Sequence, residues 1–414
     1  MILQRTKYTN IIIDAIETLP IVILIGARQV GKTTLINNLP LKGDVLYMDG
    51  QDPDVAALFL KKSTIENYLE IHLNKEKKGY FLIDEFQFIN NISTILKLLV
   101  DHNNLLKIIC TGSSSIDILQ KVNESLAGRV RVIEIYSLSF EEHLEFTNPE
   151  LWEIFKKYNK ETEHVIVHPK IKLLFDEYLV YGGMPRVAAE SDLNKKVELL
   201  NDIFKTYLLR DVRQFVKNED FVGFNKLLRF LSTQIGCMIN VNNLSKESGL
   251  NYKRTEEYLY ILEQMYIIKL VEPFYTNKRK IISKMKKVFF TDHGLRNIIY
   301  HDFKEIDDRA DNGGLFENFV FLEIIRNTRK SAQINYYRTI DGSEVDFVIN
   351  TMYKKISIEV KFKNINKVKY FKNIEILNDN ENISQSYIIN RSWNEKNNNI
   401  QYIQAYLMNK IDFE

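Results

Sequence analysis

Residues 26–34 read GARQVGKTT, which puts Gly26, Gly31, Lys32 and Thr33 at the spacing G-x-x-x-x-G-K-[ST]. Glycines at that spacing let a backbone curl so that its N–H groups converge on phosphate oxygens. A lysine beside the second glycine reaches the outer phosphates, and the adjoining hydroxyl can ligate magnesium. The pattern predicts a loop that grips ATP, formed by Gly26, Ala27, Arg28, Gln29, Val30, Gly31, Lys32, Thr33 and Thr34. Arg28 could contact phosphate or face solvent; its position alone does not choose. An apolar run, IVILI, precedes the loop, and the helical run TTLINNL follows it, so a helix start adds its positive end to the site.

Hydrolysis needs carboxylates at the same place. The segment YFLIDE ends a neighbouring apolar strand in Asp84 and Glu85. Asp84 is expected to hold Mg2+ through water, and Glu85 to orient and deprotonate the attacking water. A further strand, KIICTGSSS, ends in small polar residues, of which Thr111 or Ser113 could sense the outer phosphate or simply make turn contacts. Arg129 in SLAGRV could act as an arginine finger, in cis or in trans, or form a surface ion pair.

A second constellation lies in EVDFVINTMYKKISIEVKFK, residues 344–363. It reads as two strands about a turn near Met352 and Tyr353. A hairpin symmetric about that turn pairs residues whose numbers sum to 705, setting Asp346 opposite Glu359 and Glu344 opposite Lys361. Period-two alternation then gathers three acids and a lysine on one face, with Ile358 and Val360 turned toward a core. Crowded carboxylates invite a magnesium ion, with Asp346 and Glu359 as ligands and Lys361 beside a bound water; Glu317, in a helical run upstream, could add another acid. Cross-strand ion pairs on a solvated sheet face are the alternative.

The elements that must hold these residues follow from the hydrophobic pattern. IVILIG, DVLYMD, YFLIDE, KIICTG and RVIEIY alternate with helical stretches through residue 145, the pattern of an α/β domain with a mostly parallel sheet. Residues 146–218 read as a helical lid, with IFKTYLLRDVRQFV among the long amphipathic runs. Residues 219–275 read as a winged helix-turn-helix with Leu244, Leu250, Leu259, Leu262 and Ile267 in its core. Its second helix carries Lys253, Arg254 and Thr255 where a recognition helix meets bases, though Glu256, Glu257 and Glu263 follow, and protein contact is the other use of such a module. Residues 276–414 read as a second α/β domain. The stretch NKRKIISKMKK, 277–287, carries six Lys or Arg in eleven residues, either a solvated connection or a phosphate-contacting patch.

Composition narrows the class. The 414 residues exceed one ordinary core, and 45% hydrophobic with 27% charged residues is ordinary for a soluble globular protein. A net charge of +2 says nothing for or against nucleic acid. Two cysteines, Cys110 and Cys237, supply neither a disulfide framework nor a zinc cluster. The N-terminus lacks a signal-peptide core and no run is long enough to span a bilayer, so a cytoplasmic location is expected.

Together these residues resemble a family of bacterial and archaeal ATPases that join an AAA-like P-loop domain to a C-terminal domain of unknown function. The resemblance covers nearly the whole chain and rests on GARQVGKTTL (26–35), FLIDEFQ (81–87), TGSSS (111–115), SLAGR (125–129), YGGMP (181–185) and LLRD (208–211). It implies phosphate-loop roles for Lys32 and Thr33, metal and base roles for Asp84 and Glu85, a sensor at Ser113 and a functional arginine at Arg129. The last part of the chain is similar to the PD-(D/E)XK nuclease superfamily, which implies a magnesium site from Glu317, Asp346, Glu359 and Lys361; Val345 stands where the superfamily's name has proline. The expected function is Mg-dependent ATP hydrolysis controlling a DNA-acting, nuclease-like module. The alternatives are a non-nucleolytic regulatory ATPase, whose C-terminal parts only bind DNA or a protein partner, and an ATP-driven remodeller working as a homo-oligomeric ring.

Overall fold

The computed structural model describes residues 3–74, 76–113, 126–157, 167–207, 212–274, 285–329, 331–339, 342–365, 371–392, 394–397 and 400–413. The LLRD motif at 208–211 and residues 277–284 of the basic stretch lie outside them. The fold is α/β. Two compact units account for the chain: Met1–Ser137 with Gln264–Tyr266, and Leu138–Glu263 with Ile267–Glu414.

The first unit is built on β1 (Ile21–Ile25), β2 (Asp44–Asp49), β3 (Gly79–Asp84), β4 (Leu106–Gly112) and β5 (Val130–Glu134). They form one sheet in the order β2-β3-β4-β1-β5, with every pairing parallel. Strands β1 and β3 are buried along their whole length, as continuous apolar runs covered on both faces require. The acid-bearing strand is not the immediate neighbour of the loop strand, as the sequence suggested. Strand β4 stands between them, pairing Ile23 with Cys110 on one side and Ile83 with Cys110 on the other.

In the second unit, helices Phe221–Thr233, Val241–Ser248 and Tyr252–Gln264 accompany a small antiparallel sheet. That sheet consists of β6 (Met238–Ile239), β7 (Ile268–Val271) and β8 (Lys286–Phe290), with β8 in the middle. The expected core residues Leu244, Leu250, Leu259, Leu262 and Ile267 are all buried. Strand β8 lies beyond the 275 boundary drawn from the pattern, yet it hydrogen-bonds to both β6 and β7. Through residue 215 the described parts of the run IFKTYLLRDVRQFV are helical. Helix Leu193–Phe204 ends inside it, and Val212–Phe215 is a short 3-10 turn.

The YGGMP motif has a packing role. Gly183 passes so close to the chain at Leu138 that a Cβ would lie 2.2 Å from the Leu138 carbonyl oxygen. Its N–H donates to the buried Asp292 carboxylate at 2.9 Å, and the other oxygen of Asp292 caps helix His293–Tyr300 through Leu295 N at 3.1 Å.

A six-stranded mixed sheet completes this unit, formed by β9 (Gln333–Arg338), β10 (Glu344–Asn350), β11 (Lys355–Lys361), β12 (Gln385–Asn390), β13 (Glu395–Asn397) and β14 (Ile400–Gln404), in the order β13-β14-β12-β11-β10-β9. The β10–β11 hairpin has the expected register: Phe347 pairs with Ile358 and Asn350 with Lys355, each pair summing to 705. Met352 and Tyr353 at its tip are exposed. Ile358 is fully buried, whereas Val360 is only half-buried, so the core face stops short of the strand's end.

Candidate nucleotide site and a second acidic face

The loop after β1 turns on Gly31, whose φ of +93° is left-handed backbone that residues with a Cβ rarely adopt. Helix Lys32–Asn37 starts directly after it. Lys32 is 5% exposed and its Nζ folds back over the loop, donating to the carbonyls of Gly26 at 2.9 Å and Ala27 at 2.8 Å. Burial pulls its pKa down to about 8, against the opposing pull of Glu85 and Asp84. Ala27 and Val30 are buried, while Gln29, Thr33 and Thr34 face solvent and Arg28 is half-buried.

The carboxylates converge on this loop from β3. Thr33 Oγ1 donates to Asp84 Oδ2 at 2.7 Å, joining the loop to the acid strand. Tyr47 OH donates to the same oxygen at 3.3 Å, and the Thr111 hydroxyl donates to Oδ1. The Glu85 N–H in turn donates to Thr111 Oγ1 at 3.1 Å. Thr111, on the intervening strand β4, thus links the two acids. Glu85 takes a left-handed φ of +48°, an uncommon conformation for a non-glycine residue that the surrounding contacts must hold in place. Gln87 donates from one amide to the Glu85 carboxylate and to Ser113 Oγ, the latter at 3.2 Å. Ser113 therefore reaches the site through Gln87. The residues fit a magnesium nucleotide: Thr33 and Asp84 present a hydroxyl and a carboxylate to one point, beside a cationic lysine on a glycine loop.

Arg129 is placed elsewhere in its contacts. Its guanidinium meets Asp101 through two nitrogens, at 2.7 and 3.2 Å, so the surface ion pair is the arrangement seen. A residue without a sequence signal matters more. Arg5, 4% exposed, donates to the Val30 carbonyl inside the loop at 3.0 Å and to the Tyr136 carbonyl at 2.9 Å, with its guanidinium stacked on Tyr8. It ties the loop backbone to the chain after β5.

The C-terminal acids come together, but around a lysine. Lys287 of β8 is 2% exposed, and its Nζ lies 2.9 Å from Glu317, 2.6 Å from Glu344 and 3.8 Å from Asp346. Burial works against its charge, yet the fields of Glu317, Asp346 and Glu344 outweigh it and hold its pKa above the ordinary value. Asp346 Oδ2 also accepts from Val360 N at 2.7 Å, and Glu344 meets Arg338 at 3.2 Å. Glu359, in the field of Asp346, has partners of its own in Lys361 and in Asn373, whose amide donates to it at 3.3 Å. Burial raises Glu317 to about 8 and Glu359 to about 7, so both favour the protonated form far more than ordinary glutamates do. Among the described residues no group of three or more acidic, histidine or cysteine side chains is arranged to hold a metal ion. This face does not fit the magnesium site expected from Glu317, Asp346, Glu359 and Lys361.

The helix expected to read bases also departs from expectation. Thr255 is fully buried and bonded to Asn251 O and Ser245 Oγ, and Arg254 is bridged to Asp220 at 3.3 Å and to Glu257. Of the three residues named, Lys253 alone is an exposed side chain. Within the basic stretch, Lys286 pairs with Glu272 at 3.0 Å and Lys287 with the acids just described, so neither described end residue forms an open phosphate patch. Among the described residues no helix is long and apolar enough to cross a membrane.

Comparisons with known proteins agree with the nucleotide site. A model described as an AAA domain matches residues 18–144, and models described as domains of unknown function match 172–305 (DUF8612) and 312–408 (DUF4143). An uncharacterised protein of Methanocaldococcus jannaschii is 28% identical over 84% of this chain and 76% of its own length. One from Haemophilus influenzae is 25% identical over 87% of each chain, and one from Mycobacterium tuberculosis is 22% identical over 87% of this chain and 74% of its own. Among solved structures, the Walker-type ATPase of Pyrococcus abyssi superposes with a TM-score of 0.50 at 14% identity, over 72% of this chain and 96% of that one, a likeness of fold. The class that the fold and site define is that of chains carrying an AAA-type P-loop ATPase domain, here over residues 18–144. More particularly, the match over residues 18–144 supports ATP binding and hydrolysis there, and models of unknown function match 172–305 and 312–408.

Proposed function

We propose that this chain is a magnesium-dependent ATPase of regulatory type, whose nucleotide state governs what its second unit binds. Lys32 grips the outer phosphates. Thr33 and Asp84 hold the magnesium ion, which supplies neutralising charge when bound. Glu85 orients and deprotonates the attacking water, with Gln87 and Ser113 fixing its carboxylate and Thr111 its backbone. The observation that carries this reading is the chain of contacts Thr33–Asp84–Thr111–Glu85, which brings a metal-binding pair and a general base from three elements beside the phosphate loop. Arg129 remains a candidate finger only if a partner or a nucleotide draws it from Asp101.

For the second unit, the three-helix arrangement around β6–β8 supports a winged-helix module, and the β10–β11 register supports a nuclease-like sheet. The lysine among its acids favours binding over cutting. The partner is DNA or protein, and the buried Thr255 and bridged Arg254 weigh against base reading. The test combines two assays on the full chain with Mg2+: ATP turnover with and without duplex DNA, and plasmid cleavage. ATP turnover without cleavage supports the regulatory reading. Cleavage abolished by Asp346→Ala and Lys361→Ala overturns it in favour of the nuclease reading.

A further inference from the structure

We infer that the Lys287 ammonium takes the place of a divalent cation in the C-terminal acidic face, so that this domain carries its own counter-charge and holds a metal only when that lysine is removed. The inference deepens the binding-not-cutting reading above and rests on it.

Three carboxylates, Glu317, Glu344 and Asp346, stand within 3.8 Å of one Nζ. They come from a helix, Asn312–Asn327, and from strand β10, so they meet only through the fold. Such a set repels itself unless a cation stands at its centre. A magnesium ion at that point would need oxygens at about 2.0–2.1 Å, which a resident ammonium excludes. Lys287 is no surface side chain swinging in from solvent. Its strand is the central one of its sheet, with Lys287 paired to Met238 on one side and to Val271 on the other. The side chain is 3% exposed, and its Nζ lies 5.5 Å from the Tyr336 ring centre. Strand pairing on both edges fixes where this side chain starts, and burial leaves its ammonium little room away from the acids. The remaining acid, Glu359, has a cation of its own in Lys361, and Glu344 shares Arg338. Four carboxyl groups thus face three side-chain cations, and burial inclines Glu317 and Glu359 toward their neutral forms, which leaves little of the negative charge that attracts a dication.

The test is Mn2+ binding to the nucleotide-free full chain, followed by electron paramagnetic resonance of the free ion, together with thermal melting. Wild-type protein is expected to show no site that Asp346→Asn removes. Lys287→Met, which keeps the length of the side chain without its charge, is expected to gain one site at least about tenfold tighter, lost again in the Lys287→Met/Asp346→Asn double variant. If Lys287→Met is destabilised, MnCl2 should raise its Tm and leave that of the wild type unchanged. A wild-type site abolished by Asp346→Asn would overturn the inference, as would a Lys287→Met protein that neither binds Mn2+ nor is stabilised by it. Because no nucleotide is present, failure of the ATPase reading would leave these results unaltered.

Discussion

At the scale of single residues, Lys32 and Arg5 divide the work of the phosphate loop. Lys32 is held near the edge of ionisation by burial, with its pKa at about 8. ATP phosphates stabilise the charged form, so the pKa rises on binding. Below pH 8 the lysine is already protonated and binding takes up little; above pH 8 binding must draw a proton from solvent. Isothermal titration at pH 9 in buffers of different ionisation enthalpy should show uptake approaching one proton, absent in Lys32→Met if that variant still binds. Arg5 is buried and fixes the Val30 carbonyl. Arg5→Ala is expected to weaken ATP binding about tenfold, since one buried charge-assisted hydrogen bond is worth about 1.5–3 kcal/mol. An unchanged Kd would reduce Arg5 to a packing residue.

At the scale of elements, backbone proximity decides what can be replaced. Gly183→Ala would drive a methyl group into the Leu138 carbonyl, backbone against backbone, where neither atom can swing aside. The expected outcome is a loss of about 2 kcal/mol or more, read as a lowered denaturant midpoint. Gly313→Ala, in helix Asn312–Asn327 with nothing within 4 Å of the added Cβ, should stay within about 0.5 kcal/mol of wild type. The same scale explains what the sequence could and could not disclose. The loop and the β10–β11 hairpin are local: contiguous residues define them, and period two with a turn at Met352 and Tyr353 sets the register. The strand order is not local. Nothing in YFLIDE or KIICTG says that β4 stands between β1 and β3, because order depends on which crossover packs where. Lys287 lay hidden in a basic run, 30 residues before Glu317 and 59 before Asp346, and a run of charges ordinarily reads as solvated. Arg5 was invisible for the same reason, its loop partner lying 25 residues on and its Tyr136 partner 131.

At the scale of the whole molecule, the buried charges of the second unit set how stability varies with pH. Glu317 and Glu359, raised to about 8 and 7, bind protons in the folded state that unfolded glutamates have released. Their contribution falls as pH rises from the ordinary glutamate range through 8. His143 and His293, buried and lowered to about 3, oppose this below their ordinary value of 6.5, since there the unfolded chain binds more protons. Between about pH 6.5 and 8 the carboxylates act without that opposition, so unfolding midpoints in urea should decline across this window. Glu317→Gln should flatten the decline, and an identical slope in wild type and variant would show that Glu317 is not the group responsible.

The measurement that bears most directly on the central claim is steady-state ATP hydrolysis by the wild type and Glu85→Gln, with ATP affinity determined on the same samples in Mg2+. The expected result is turnover in the wild type, a loss of about a hundredfold or more in the variant, and ATP binding retained by both. Wild-type-like turnover by Glu85→Gln, or no Mg-dependent ATP binding by the wild type, would contradict it.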